Sequence, residues 1–340
     1  MTPVEAVSER AKISFKVLIG FYAVVPLCLI FYLFDSNLFN NYLRLTLPRS
    51  PESLVVFSVL FGAPHIVASN FIFITNQEYR QKFGRRALWA TLAIVAFFGL
   101  GSLYLHRDLI FFIVATITIT HVVKQQIGIG NIQARLSGIA YQCWVWTMIG
   151  ASVIMFNAIL LRHIFPFKYL YVVDLFLLAA GVFIFSLNLV LHSRAATSTG
   201  RQFLWANSIL ILMSFFLYTQ KYYFFAILGP RLVHDATAFL FYTVHDYNRH
   251  HHHPQNRWYQ MLEKAKLSAF VAVPALAIIM TFFLQEFADP FFSMATQAVL
   301  GKTFPKAIAV GFLGYLGMMH YYMEAFTWKH DSPYRRFISF

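Results

Sequence analysis

The sequence predicts an all-α protein, a polytopic integral membrane bundle of about ten transmembrane helices. Three observations support this fold class. Of the 340 residues, 59% are hydrophobic and only 12% are charged, about half the charged share of an ordinary soluble domain. The mean hydropathy is +0.59. Apolar runs long enough to cross about 30 Å of hydrocarbon recur along the whole chain.

The predicted spans follow one another with short loops, so consecutive helices are expected to be antiparallel neighbours. They fall near residues 15–34, 52–75, 86–105, 109–130, 139–161, 168–192, 203–219, 222–247, 267–286 and 304–328. A Gly229-Pro230 pair interrupts the eighth run, where a kink or a re-entrant break can form. Because no soluble segment separates the spans, residues 1–340 are interpreted as a single transmembrane domain.

The distribution of basic residues predicts the orientation of the chain. With the N-terminus inside, 18 Lys and Arg residues lie on the cytoplasmic side and 9 on the other. This excess predicts that both termini are cytoplasmic, and we expect a multi-pass protein of a bacterial inner membrane. The first apolar run lacks a convincing cleavage site, which favours an uncleaved helix over a signal peptide. The basic residues behind the net charge of +13 lie between the spans, where they set the topology. No nucleic-acid partner is therefore expected.

This orientation makes a prediction that labelling can test. A cysteine introduced within 76–86 should resist a membrane-impermeant reagent applied from outside, because this basic loop is predicted to face the cytoplasm. The same reagent should label that cysteine in inverted vesicles. Labelling from outside would contradict the predicted arrangement.

Five histidines lie inside predicted spans, where an ionisable side chain is costly and marks a candidate functional site. They are His65, His121, His234, His245 and His320. All except His234 lie in the cytoplasmic half of helices predicted to run from outside to inside. At about 1.5 Å per residue, three of these four lie at similar depth and His245 lies nearer the surface. Several helices that place imidazole at one level can build a metal site, although interhelical hydrogen bonding is the alternative.

Ligation by imidazole nitrogen suits iron, copper or zinc. A ligating histidine needs a partner for its second ring nitrogen. Ser69 and Asn70 stand four and five residues after His65, and Gln125 and Glu324 stand four residues after His121 and His320, respectively. Ordinary polar contacts between helices would explain the same residues. His234 stands eleven residues before His245, roughly 16 Å along a helix. Together with Asp235, it is interpreted as a second polar site or a substrate contact, with a core hydrogen bond as the alternative.

A run of four histidines, 250–253, follows the eighth span. Its internal position and its polar flanks argue against a purification tag. An interfacial loop anchored by Trp258 and Tyr259 is the simplest interpretation, and it places His252 and His253 at the headgroups. His250 lies little more than one turn beyond His245, so it can still reach a site in the membrane.

Four stretches, taken in order, resemble the Brp/Blh-type β-carotene 15,15′-dioxygenases, which are integral membrane enzymes. These stretches are GAPH, TITITH, FLFYTVH and LGMMH, ending at His65, His121, His245 and His320. The resemblance covers about residues 52–328, so the 15–34 helix is an addition to a dioxygenase-like core. A second histidine that this family carries falls on Arg249 here, and His250 would have to replace it.

The resemblance implies a non-haem Fe(2+) enzyme that uses O₂ to cleave a carotenoid, such as β-carotene to retinal. It implies His65, His121 and His245 as ligands, with His250 or His320 as the fourth. The substrate would be apolar and would enter from the bilayer. Candidate tunnel residues are the aromatic side chains Tyr222, Tyr223, Tyr321 and Tyr322, together with His234.

Two other functions remain open. A histidine-rich membrane oxidase or hydroxylase would use the same metal on another lipid. A metal or small-solute transporter would bind its cargo at midplane histidines. The sequence shows no internal repeat, and the outer halves of the histidine-bearing spans are almost wholly apolar, which favours a site reached from one side or from lipid.

Overall fold

The computed structural model of the protein describes residues 10–163, 167–251, 254, 257–288, 290, 291, 294, 297, 298, 311–329 and 332–340. In these residues the regular structure is helical throughout, without a strand, which confirms the prediction of an all-α protein but not the number of about ten spans. The predicted interfacial positions His252 and His253 lie outside the described residues.

The longer helices are numbered here in chain order. They are α1 (Phe15–Leu38), α2 (Val55–Gly62), α3 (Pro64–Thr75), α4 (Gln77–Val95), α5 (Arg107–Ala134), α6 (Ile139–Leu160), α7 (Phe167–His192), α8 (Ser198–Thr219), α9 (Tyr223–His250), α10 (Arg257–Lys264), α11 (Ala269–Phe283) and α12 (Gly311–Thr327). Short helical turns occur at Tyr42–Thr46, Pro51–Ser53, Gly101–Tyr104 and Pro333–Phe337, and π-helical turns at Ala96–Leu100 and Leu284–Ala288.

Seven helices in the described part of the chain are long and apolar enough to cross a membrane, which makes this a multi-pass membrane protein. They are α1, α5, α6, α7, α8, α9 and α11 with its π-helical extension to Ala288. The bent pair α2 and α3 makes an eighth if it is one span. The predicted runs 86–105 and 304–328 do not add to this number. Helix α4, which covers part of 86–105, begins in a charged stretch. The helix within 304–328 is described only from residue 311.

The predicted run 52–75 is bent in its middle, whereas the predicted run 222–247 is a continuous helix. The axes of α2 and α3 meet at an angle of 44° around Ala63. Pro64 begins α3 and has no N–H to continue the preceding helix. The break considered at Gly229-Pro230 does not occur, because α9 runs from Tyr223 to His250 without interruption.

The chain divides into two compact units, each built from separated stretches of sequence. Unit 1 contains the segment that ends at Ser14 together with 58–110 and 235–340, and unit 2 contains 15–57 and 111–234. Helix α9 therefore contributes its first half to unit 2 and its second half to unit 1.

In unit 2, helix α8 packs against α1, α6 and α7. The apolar stretches of α6 and α8 are 61% buried, whereas that of α7 is 22% buried. Helices α6 and α8 thus form the interior of this unit, and α7 presents its apolar face outward. The hydroxyl of Thr197 caps α8 by accepting the N–H of Gly200 at 2.9 Å.

The start of α8 touches the end of α5 backbone to backbone. The N–H of Ala196 donates to the carbonyl of Ala134 at 2.9 Å. A Cβ atom on Gly200 would lie 2.5 Å from Cα of Ala134, closer than any van der Waals contact allows. Glycine is therefore required here by space rather than by its torsion angles.

In unit 1, helix α3 packs against α4, α11 and α12, and α4 also packs against α12. The buried core between them combines large and small apolar side chains, namely Ala68, Ile72, Tyr79, Phe83, Ala87, Ala90, Ala238, Tyr242, Ala277, Met319, Met323 and Tyr334. These helices position the histidines described below.

One side chain of α9 joins the two ends of the chain. The amide of Asn248 accepts the N–H of Ala11 at 2.8 Å and donates to the carbonyls of Ala11 and Phe337, each at 2.9 Å. The N–H of Ile13 donates to Ser339 at 2.8 Å. Both terminal segments of unit 1 therefore lie at the C-terminal end of α9.

Candidate metal centre

Two histidines from different helices form the centre of a buried polar cluster in unit 1. His65 is the second residue of α3, directly after the proline that begins this helix, and His320 lies within α12. Both are fully buried. Their ring centroids are 4.9 Å apart in an edge-to-face arrangement, and potential ligand atoms of the two rings lie within 4.8 Å of each other.

The hydrogen bonds of Ser69 define which nitrogen of His320 carries the proton. The Ser69 hydroxyl donates to the carbonyl of Ile66 at 2.8 Å, so its oxygen is an acceptor for Nδ1–H of His320 at 2.9 Å. In the neutral ring this leaves the lone pair on Nε2. Nε2 is therefore the nitrogen of His320 that can bind a metal ion.

A carboxylate faces that nitrogen. Oε1 of Glu324, one helical turn after His320, lies 3.9 Å from Nε2. The hydroxyl of Tyr242 donates a hydrogen bond to the same oxygen at 2.5 Å and so holds the carboxylate in its position. A lone pair and a carboxylate oxygen repel each other unless a cation or a proton lies between them. Glu324, predicted as a partner of a ligating histidine, thus lies where it can bind the metal itself.

His65 has its own acidic neighbour. Nδ1 of His65 lies 3.6 Å from Oδ1 of Asp235, and both side chains are buried. A carboxylate beside one ring nitrogen is the usual arrangement of a metal-binding histidine, since it orients the ring and strengthens the other nitrogen as a ligand.

His245 lies in a different environment, beside aromatic side chains. Arg249 donates to the hydroxyl of Tyr79 at 3.1 Å, so this hydroxyl donates its own proton to Nε2 of His245 at 2.7 Å. The ring of His245 stacks on Tyr334 with centroids 5.2 Å apart. To bind a metal through Nε2, His245 would have to lose its bond to Tyr79.

His250 stacks on Tyr259 of α10, with ring centroids 3.5 Å apart. Its Nε2 lies 3.7 Å from Oδ1 of Asp246, and Tyr259 donates to the other oxygen of the same carboxylate. Within the described residues, neither His245 nor His250 belongs to a set of three His, Cys, Asp or Glu side chains whose ligand atoms all lie within 4.8 Å of one another. Their role as ligands stays a prediction.

Arg249, at the position where the dioxygenase pattern has a histidine, connects α9 to the start of α4. It donates to Asn76 at 2.7 Å and to Glu78 at 3.1 Å, and its guanidinium lies 4.6 Å from the ring centroid of Tyr79. Burial raises the pKa of Tyr79 and of Tyr334. Both phenols therefore stay protonated, and Tyr79 remains a donor to its neighbour on α9.

Unit 2 contains the other two of the five histidines predicted inside spans. His121 on α5 and His234 on α9 meet edge to face with centroids 5.2 Å apart. His234 is fully buried and His121 is half-buried. Gln125, predicted as the partner of His121, is also half-buried on α5. The contact between the two histidines was not predicted, since His234 was paired with its neighbour Asp235 in the sequence.

Other predicted residues are placed as follows. The amide of Asn70 donates to the carbonyls of Ile66 and Leu316, at 2.9 and 3.1 Å, and so connects α3 to α12. Tyr321 is half-buried beside His320. Tyr322 is 39% exposed and packs on Phe326.

The remaining two tunnel candidates, Tyr222 and Tyr223, lie at the start of α9 in unit 2. The hydroxyl of Tyr222 donates to Asn41 at 3.1 Å, and Arg162 donates to the hydroxyl of Tyr223. Both phenol hydroxyls therefore form polar contacts next to the first turn of α9.

Two predicted neighbours of the histidines have other partners in the structure. Ser69, predicted as a partner of His65, bonds to Nδ1 of His320 at 2.9 Å. Asp235, predicted to form a polar site with His234, lies 3.6 Å from Nδ1 of His65. Sequence reasoning missed Tyr242, since hydroxyls are common at helix interfaces and carry no signal.

Comparison of the chain with protein-family models, with curated proteins and with solved structures gave no match. The site is therefore interpreted from its own geometry and from the sequence motifs.

Proposed function

We propose that this protein is a membrane oxygenase that binds one Fe(2+) ion and cleaves a carotenoid or a related polyene with O₂. The observation that carries the proposal is the position of Nε2 of His320, a lone pair that faces the carboxylate of Glu324 at 3.9 Å inside an apolar unit. A divalent cation would bind both groups and remove their repulsion.

Two pairs of side chains in unit 1 offer donors for such an ion. A potential ligand atom of His65 lies within 4.8 Å of one on His320, and Oε1 of Glu324 lies 3.9 Å from Nε2 of His320. His320 would bind through nitrogen, with His65 and Glu324 as candidates for the second imidazole and the carboxylate. Two imidazoles and one carboxylate are a donor set typical of non-haem Fe(II) in oxygenases. Bound iron would supply the one-electron chemistry by which O₂ reacts with a closed-shell polyene. His121, His245 and His250 stay predicted ligands from the sequence motifs.

The protein itself would hold and orient this donor set. Ser69 fixes the tautomer of His320, Tyr242 fixes the carboxylate of Glu324, and Asp235 lies beside Nδ1 of His65. All of these side chains are at least nine-tenths buried, so the arrangement excludes bulk water. Exclusion of water favours an apolar substrate that enters from the bilayer.

The membrane arrangement that accompanies this proposal has ten spans, with both termini in the cytoplasm of a bacterium. The pairing of both terminal segments with Asn248 supports an even number of spans, because the two segments lie at the same end of α9.

Expression in a β-carotene-producing host tests the proposal. We expect the orange pigment to disappear and retinal to form, as measured by extraction and chromatography. His320→Ala should abolish both effects, because it removes a proposed ligand. His106→Ala should retain them, since this histidine is 80% exposed.

Persistence of the pigment with folded, iron-loaded protein would contradict β-carotene cleavage. Oxygen consumption with a different membrane lipid would then favour a lipid oxidase or hydroxylase. Metal that crosses the membrane in vesicles without any oxygen consumption would favour a transporter.

A further inference from the structure

A second candidate site lies in unit 2, at the end of the membrane-spanning helices α1, α8 and α9. It is an open pocket of about 380 Å³. The lining comes from the segment that follows α1 and from the turn between α8 and α9, and comprises Leu43, Arg44, Leu45, Leu47, Pro48, Arg49, Lys221, Tyr222, Tyr223, Phe224 and Phe225.

The charge of this lining is wholly positive. Arg44, Arg49 and Lys221 are exposed, and none of them forms an ion pair with a carboxylate in the described part of the chain. The guanidinium of Arg44 lies 5.9 Å from the ring centroid of Tyr222, so an aromatic face supports one wall of the pocket. Three cations in one pocket repel one another, and an anion between them would relieve that repulsion.

The backbone that presents these cations is fixed by specific contacts. The carboxylate of Asp35 accepts the backbone N–H groups of Leu43 and Arg44 at 2.8 and 3.1 Å, so this acid is engaged by the loop. The hydroxyl of Tyr222 donates to Asn41 at 3.1 Å. Burial raises the pKa of Tyr222 to about 12, so this donor stays neutral.

Lys221 is held in an unusual conformation. Its φ of 65° lies in the left-handed region, a backbone conformation that is unfavourable for a residue with a side chain. The N–H groups of Lys221 and Tyr222 donate to the carbonyls of Tyr218 and Leu217, each at 2.9 Å. This turn closes α8 and holds Lys221 beside the segment that carries Arg44.

The depth of the pocket matches that of lipid headgroups. It lies where α1, α8 and α9 end, and its aromatic residues are of the kind that gathers at the membrane interface. Next to it along α1, Phe31, Phe34 and Leu38 are 50–64% exposed. These side chains offer an apolar surface for acyl chains next to the cationic pocket.

We propose that this pocket binds the phosphate group of an anionic glycerophospholipid, with Arg44, Arg49 and Lys221 as its ligands. Guanidinium groups bind phosphate through paired, charge-assisted hydrogen bonds. The adjacent apolar face of α1 favours a lipid over a soluble phosphate. This proposal is independent of the proposed oxygenase function.

Native mass spectrometry of the full chain in detergent tests it. Purified protein is equilibrated with phosphatidylglycerol, with phosphatidylcholine or with inorganic phosphate, and the bound molecules are counted. We expect phosphatidylglycerol to bind at least about tenfold more tightly than phosphatidylcholine, because only the former has a net negative charge. Inorganic phosphate should not displace it at equal concentration.

Three variants assign the binding to this pocket. The double variant Arg44→Gln with Arg49→Gln should weaken phosphatidylglycerol binding about tenfold or more. Lys221→Gly removes a cation and also relaxes a left-handed residue, so it should weaken binding without loss of folding. The control, Arg194→Gln with Arg201→Gln, makes the same change of charge in unit 2 on exposed residues beside the start of α8.

The proposal would be overturned by equal binding of the two lipids, or by a control double variant that loses as much binding as the pocket variants. Displacement of the lipid by equimolar inorganic phosphate would identify a site for a free anion instead.

Discussion

His320→Ala is expected to lower the affinity of the purified protein for iron by more than about 100-fold. The substitution removes a proposed ligand, whereas loss of a residue that only supports a ligand costs 10- to 100-fold in metal proteins. His65→Ala should have an effect of similar size. Glu324→Gln should act in the same direction, because it replaces the charged oxygen that lies 3.9 Å from Nε2 of His320. The iron bound per protein is measured by elemental mass spectrometry after chelation and reloading.

The matched control is His106→Ala, which also replaces a histidine but at a position with 80% of its side chain exposed. It should retain full iron. Circular dichroism and gel filtration of each variant separate loss of metal from loss of folding. Full iron in folded His320→Ala and His65→Ala variants would show that the metal is bound elsewhere, and His121 with His234 would be the first place to look.

Gly200→Ala is expected to destabilise the folded protein by about 3 kcal/mol, near the upper end of what overpacking costs. The added Cβ would lie 2.5 Å from Cα of Ala134 and 2.6 Å from its nitrogen. Both are backbone atoms, so the strain cannot be relieved by rotation of a side chain, and the end of α5 must move away from α8. The free energy of unfolding in detergent, measured by denaturant titration, gives the size of the effect.

Gly150→Ala in the middle of α6 is the matched control. A Cβ there meets nothing within 4 Å, and alanine favours a helix over glycine by about 1 kcal/mol. This variant should equal or exceed the parent in stability. If Gly200→Ala were as stable as Gly150→Ala, the close contact of α5 with α8 would not exist in the membrane.

The helices could be predicted because hydrocarbon demands long apolar segments. Most predicted runs lie largely within one described helix, whereas 52–75 is divided between α2 and α3 and 86–105 between α4 and two shorter helical turns. The bend within the predicted run 52–75 could not be predicted. Both GAP at 62–64 and GP at 229–230 bring glycine near proline, yet only the first interrupts a helix. A proline inside a transmembrane helix is tolerated when neighbouring groups satisfy the freed carbonyl. Packing decides this, and packing cannot be derived from local sequence.

The candidate site could be predicted in part, because an ionisable side chain inside a membrane is energetically costly. This cost identifies His65, His320 and Glu324 as functional candidates wherever they lie in the fold. Their partners depend on which faces of α3, α9 and α12 meet, and this is set by rotation about each helix axis. The sequence also could not show that His245 bonds to Tyr79, because Tyr79 lies outside the predicted spans.

The discontinuity of unit 1 has a consequence for biosynthesis. His65 leaves the ribosome 255 residues before His320, an interval of roughly 13–50 s at 5–20 residues per second. During that time unit 2 can be synthesised completely, while α3 lacks its partner α12. An insertion intermediate must therefore shelter the imidazole of His65 in the membrane without its final neighbours. Loading of the proposed metal would then occur only after α12 has been inserted, so a shortage of iron would leave an assembled apoprotein rather than a stalled chain.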